Sequence, residues 1–189
     1  SKTRAYALTL LLVALGSYLF LRATSTGRSR QWIAYVLVMT LAAYSHFFAI
    51  FVIVSHGGYL LLRRQDRLKP AVFSFAALAV LLAPILVYVA FGGQSGRVTA
   101  ETPTIRDVLY VAPSLTGREA LFFYLPAGLV ALVAARGRPP FLATYAWSYR
   151  FLLLWLAIPI GLALALSVVA KPIFVSRYLL VCLPALVIL

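Results

Sequence analysis

Ala43-Tyr44-Ser45-His46-Phe47-Phe48 interrupts an apolar stretch that runs over residues 32–62, and the reading of that interruption decides the fold. Taken as one helix, residues 32–62 would extend about 46 Å at about 1.5 Å per residue. That overshoots a bilayer hydrocarbon core of roughly 30 Å. Two short spans turning near residues 44–46 fit better, and a turn there sets the polar trio at a membrane face rather than in lipid. The competing reading is a single helix, kinked or tilted in place. The choice fixes the number of crossings, and with it the side on which every later loop falls.

Composition supports a membrane reading of the whole chain. Of 189 residues, 63% are hydrophobic and only 11% charged, with a mean hydropathy of +0.98. Soluble domains carry about 25% charged and 45–50% apolar residues. The net charge of +13 invites a nucleic-acid partner, but the cations lie in loops between apolar runs, and no soluble basic face is available to track a phosphate backbone. Membrane topology and anionic headgroups account for them better, so membrane lipid is an expected partner and nucleic acid is not. The one cysteine, Cys182, lies in an apolar run and reads as a small buried apolar side chain. No secretory signal peptide is legible. Ser1 in place of Met, and an apolar run cut at Leu189, make an internal piece of a longer membrane protein the expectation.

In chain order, spans are expected over residues 6–21, on either side of 44–46 within 32–62, over 71–91 with Pro84 as a kink, over 120–135, over 151–170, and over 178–189, the last incomplete. The fold class is therefore an all-α, polytopic transmembrane bundle of about seven spans, forming one domain over residues 1–189. Residues 22–31 read as a polar loop with Arg22, Arg28 and Arg30, and residues 63–70 as a tight basic loop. Residues 92–118 read as the longest loop, with residues 104–112 as a short amphipathic helix on the membrane surface. Residues 141–150, holding Tyr145, Trp147 and Tyr149, read as an aromatic interface approach to the next span. Alternating the loops puts ten cations and Asp66 on one side, and seven cations with Glu101, Asp107 and Glu119 on the other. Short basic loops stay cytoplasmic. The first side is then cytoplasmic, and the 92–118 loop and residues 44–46 face outward. This alternation requires the split at 44–46.

Cations on an outward face run against the positive-inside tendency and ask for a local reason. Arg4 stands two residues before Tyr6 at the start of one span. Lys171 and Arg177 flank the junction 171–178, with Tyr178 next to Arg177. Arginine offers a planar fork of donors suited to phosphate, and lysine a mobile point charge. An arginine beside an aromatic ring at a helix start can hold a lipid phosphate while the ring packs on prenyl chain or sugar. Plain snorkelling to headgroups is the alternative for each cation. His46 is a hydrogen-bond donor, a base or a metal ligand by chemistry, and a satisfied polar group at a helix end by the plainer reading. His56, beside Gly57 and Gly58, reads as a structural hydrogen bond in tight helix packing. No metal-ligand spacing, phosphate loop, dinucleotide fingerprint or nucleophile elbow is present.

Three stretches together resemble bacterial polyprenyl-phosphate-dependent glycosyltransferases of the GT-C superfamily. They are Thr3-Arg4-Ala5-Tyr6-Ala7-Leu8, Ala43-Tyr44-Ser45-His46-Phe47-Phe48, and Pro172-Ile173-Phe174-Val175-Ser176-Arg177-Tyr178-Leu179 followed by Leu183-Pro184. The nearest likeness is to glycosyltransferase family 39, the protein mannosyltransferase-like and aminoarabinose transferase-like proteins, and it extends over nearly the whole chain. The resemblance implies transfer of a sugar from a polyprenyl-phosphate carrier to a protein, lipid or glycan acceptor on the outer face of the bacterial inner membrane. It implies Arg4 and Arg177 as phosphate-facing cations, with Lys171 as a third. Tyr6, Tyr44, His46 and Tyr178 would line the cavity. It also implies a catalytic carboxylate before Ser1, and a divalent metal ion is open as a cofactor of the full-length enzyme. Lys2 and Thr3 stand where the family often has an acid. The alternative is a non-enzymatic transporter or flippase subunit for lipid-linked glycans, using the same cations for lipid phosphate.

Overall fold

α1 runs over Lys2–Thr26, α2 over Ser29–Ser45, α3 over Ala49–Arg63 and α4 over Leu68–Val87. α5 then covers Pro139–Val169, and a 3-10 helix, Ser176–Cys182, leads into α6, Leu183–Ile188. These elements belong to a computed structural model that describes residues 2–63, 68–89, 139–169 and 176–188. Every element among the described residues is helical. Among the described residues, three helices are long and apolar enough to cross a membrane, over Tyr6–Thr26, Lys69–Val87 and Trp147–Val169. The chain divides into two compact units, residues 1–99 and 100–189.

The interruption at residues 44–46 is a real break between helices. His46 leaves the helical region, with φ −156° and ψ 117°, while its N–H still donates to the Ala42 carbonyl. The next helix starts at once. Ala49, Ile50 and Phe51 donate to the carbonyls of His46, Phe47 and Phe48 at 2.9, 3.0 and 3.1 Å. One extended residue therefore turns the chain, and these three bonds with a span of three residues tighten the first turn of α3. At about 1.5 Å per residue, α2 and α3 are about 25 and 22 Å long, each shorter than the roughly 30 Å hydrocarbon core.

α1 and α2 form an antiparallel pair through Gly27 and Arg28. Gly27 sits at φ 68°, a left-handed position that suits a residue without a Cβ at a helix C-terminus. The polar loop expected over 22–31 is much shorter than that, because α1 continues to Thr26. Its last turn holds three hydroxyls that bond back to the chain. Thr24 donates to the Leu21 carbonyl, and Ser25 and Thr26 both donate to the Arg22 carbonyl. Residues that usually leave a helix thus spend their hydroxyls on its own backbone. Midway along the pair, Gly16 allows a close approach. A Cβ there would lie 3.0 Å from Met39 Cγ and closer still to Met39 Sδ.

Ring contacts and hydrogen bonds set the register of the first unit. Tyr6 on α1 meets His46, Ser17 on α1 meets His56 on α3, and Tyr35 on α2 meets the same His56. Tyr44 on α2 meets Leu81 on α4. These pairs bring the start of α1, the end of α2, the start of α3 and the late part of α4 to one end of the unit. The other end holds the close of α1, the start of α2, the close of α3 and the start of α4.

In the second unit, Pro139 and Pro140 open α5, where their missing N–H groups cost nothing. The approach expected over 141–150 is not a separate segment. It is continuous with the following span in a helix of 31 residues. Trp155 on α5 donates its indole N–H to the Val181 carbonyl at 3.1 Å, which docks the 3-10 helix. Cys182 is buried, as expected, and its thiol points at the Trp155 carbonyl at 4.0 Å. The span expected from residue 178 begins as 3-10 helix at Ser176. The 92–118 loop, the helix over 104–112, the span over 120–135 and Lys171 lie outside the described residues.

Candidate functional site

The end of the first unit that carries the 44–46 break is the candidate site. The Tyr6 and His46 rings lie 5.5 Å apart between centroids, tilted by 47°. The Phe48 ring lies 5.7 Å from the imidazole, tilted by 60°. His46 is thus in contact with a ring from α1 and with one from the turn before α3. Burial lowers its pKa from the ordinary histidine value, because the charged form loses hydration there. A neutral imidazole can both give and accept a hydrogen bond, which suits recognition of hydroxyl groups.

Tyr44 faces a different neighbour. Its hydroxyl donates to the Leu81 carbonyl on α4 at 3.0 Å, and its side chain is about half exposed at 53%. Pro84 lies three residues beyond Leu81 inside α4. The missing N–H of Pro84 frees the Val80 carbonyl four residues back, one residue before the carbonyl that Tyr44 meets. Tyr44 therefore ties α2 to α4 while His46 ties the same end to α1. Arg4 lies in the first turn of α1, at this same end.

The third motif lies in the second unit. Arg177 and Tyr178 occupy the 3-10 helix Ser176–Cys182. Tyr178 is partly exposed and Leu179 beside it is buried. The structure thus brings Tyr6 and His46 together and sets Tyr44 two residues away on another neighbour.

His56 is the centre of a second polar arrangement, fully buried. Ser17 donates its hydroxyl to the Val13 carbonyl at 2.8 Å, so its oxygen is left to accept at 3.1 Å from His56 Nε2. With the proton on Nε2, Nδ1 accepts from the Tyr35 hydroxyl at 3.1 Å. Phe20 stacks on the ring at 4.5 Å and 9°. Three helices are joined by one neutral imidazole with both nitrogens satisfied, which bears out the structural reading of His56. Tyr35 and Ser17 had no signal in the sequence, since each stands in an ordinary apolar run.

The opposite end of the unit collects cations. Arg22 donates to the Tyr18 hydroxyl at 2.9 Å, and Arg63 to the Tyr59 hydroxyl at 3.3 Å. Each guanidinium also lies under 6 Å from the centre of that ring. Both pairs are four residues apart, neighbours on a helix surface. Arg28, Arg30 and Lys69 stand exposed at the same end. Among the described residues, no group of three His, Cys, Asp or Glu side chains is placed to hold a metal ion. Compared with protein-family models, with curated proteins and with solved structures, the chain matches none.

Proposed function

We propose that the chain is part of a membrane glycosyltransferase that moves a sugar from a polyprenyl-phosphate carrier to a glycan, lipid or protein acceptor. In this reading the helices belong to a GT-C-like bundle of about seven spans in the bacterial inner membrane. The Tyr6–His46 end faces outward and the cation-rich end faces the cytoplasm. The observation that carries the reading is the contact between Tyr6 and His46. It joins two of the three motif stretches at one end of the first unit, away from Arg22, Arg28, Arg30, Arg63 and Lys69.

The roles follow from the reaction. The leaving group is a phosphate whose charge must be stabilised as the glycosidic bond breaks, and preorganised cations do that best in a partly dehydrated site. Arg4 and Arg177 are proposed to take that part, with Lys171 as a third cation. Tyr6, Tyr44 and His46 of the first unit, and Tyr178 of the second, are the side chains proposed to meet sugar or prenyl units. The test uses the complete protein in liposomes with a synthetic polyprenyl-phosphate sugar. Wild type should release sugar to an acceptor, and Arg177→Ala should lose that activity while remaining inserted. Normal turnover by Arg177→Ala would sink the phosphate role, and lipid flipping without any transfer would favour the transporter alternative.

A further inference from the structure

At the cation-rich end of the first unit, α2 and α4 leave a groove of about 480 Å³ between them. Ser29 and Lys69 line it at the starts of α2 and α4, Trp32 and Phe73 line it one turn further along, and Leu37 and Ala77 line its far end. The polar group nearest the interior is already spent, since the Ser74 hydroxyl donates to the Pro70 carbonyl at 2.8 Å. The groove is therefore apolar along its length and cationic at one end. Arg28 and Arg30 flank Ser29 and are exposed, as is Lys69. No carboxylate side chain occurs among the described residues.

We propose that this groove binds one acyl chain of an anionic glycerophospholipid, with Lys69 at the headgroup phosphate and Arg28 and Arg30 adding positive charge beside it. Depth, lining and charge agree on that occupant. Lys69 is the first residue of a segment long and apolar enough to cross a membrane, Lys69–Val87. The Lys69 end thus stands where the helix enters hydrocarbon, which is phosphate level. From Lys69 to Ala77 the groove descends about 12 Å along α4, within the roughly 15 Å that half a hydrocarbon core provides. A chain can lie in it without leaving its own leaflet. Moving a tail from bulk lipid to an apolar groove gains little, because lipid tails are as apolar as the lining. Selection must then come from the headgroup. A cation at the surface favours anionic over zwitterionic lipid by about fivefold.

The inference needs only a membrane-spanning chain and stands apart from the proposed glycosyl transfer. The test is native mass spectrometry of the detergent-purified protein, titrated with phosphatidylglycerol or phosphatidylcholine of identical chains. Wild type should bind the first equivalent of phosphatidylglycerol at least fivefold more tightly. Lys69→Gln should lower that preference about fivefold, and Lys69→Arg should keep it. Ala77→Phe, which fills the groove and leaves the charges intact, should abolish the tight first equivalent. Thermal unfolding in lipid-free detergent checks that each variant is folded. Equal binding of the two lipids by wild type would overturn the proposal, as would an unchanged preference in both Lys69→Gln and Ala77→Phe. Displacement of phosphatidylglycerol by an equimolar polyprenyl phosphate would assign the groove to the carrier instead, and would equally overturn it.

Discussion

Replacing His56 by Phe keeps a ring of similar size against Phe20, which stacks on it at 4.5 Å, and removes both hydrogen bonds. Ser17 keeps its bond to the Val13 carbonyl, so it loses little. The Tyr35 hydroxyl loses its acceptor 3.1 Å away in a position with no solvent exposure. Leaving a buried polar group unsatisfied costs about 1–3 kcal/mol, whereas replacing both partners by apolar groups of like shape can be nearly neutral. His56→Phe should therefore destabilise the protein by about 1–3 kcal/mol, and Tyr35→Phe by a similar amount. The double variant should cost less than the sum of the two by at least about 1 kcal/mol. Hydrogen bonds between membrane helices average only about 0.6 kcal/mol, so most of the coupling comes from orphaned groups rather than from the bond itself. The assay is reversible unfolding in mixed micelles, followed by far-ultraviolet circular dichroism. Additivity within about 0.5 kcal/mol would refute the reasoning, because it would mean that the two side chains do not act as one unit.

Two further outcomes follow from the same packing. Gly16→Ala should destabilise by about 1–3 kcal/mol, since the added Cβ meets Met39, whose side chain is fully buried. If Met39 could yield freely, alanine's helix propensity would instead stabilise by about 1 kcal/mol, so the sign of the change in the unfolding midpoint is the check. His46 supplies a pH dependence. Its folded-state pKa lies below the ordinary value of 6.5 because of burial. The unfolded chain then binds a proton that the folded chain refuses, so stability falls as pH drops from above 6.5 toward the lowered value. The difference in unfolding midpoint between wild type and His46→Phe, followed from neutral to mildly acid pH, should show that slope only in wild type.

Local signals in the sequence reached the break at 44–46 because length decides it: residues 32–62 are too long for one crossing and carry three polar residues at their middle. They reached the buried His56 for a similar reason, since an imidazole in an apolar run beside two glycines needs a hydrogen-bonded place between helices. Helix ends were less legible. Thr24, Ser25 and Thr26 look like the start of a loop, yet their hydroxyls bond within α1, and Pro139 with Pro140, which would break a helix interior, opens α5. Such residues have two uses, and only the backbone around them selects one. In the candidate site, Tyr6 and His46 were named from motifs alone, but their contact depends on α1 running beside α3.

By itself, the sequence determined that this chain is helical and apolar enough to enter a membrane, and where its second long apolar run must turn. Those properties depend on composition and on the length of apolar runs, which need no neighbours. Only the tertiary structure decided which side chains meet. It turned Tyr44 toward the Leu81 carbonyl and His46 toward Tyr6, although the two residues are nearly adjacent in the chain. It made Ser17 and Tyr35 partners of His56 and left a groove with Lys69 at one end between α2 and α4. The physical reason is that neighbouring helices choose their register by the fit of whole faces. The break at His46, read first as a polar gap in an apolar run, is the point where that choice is made.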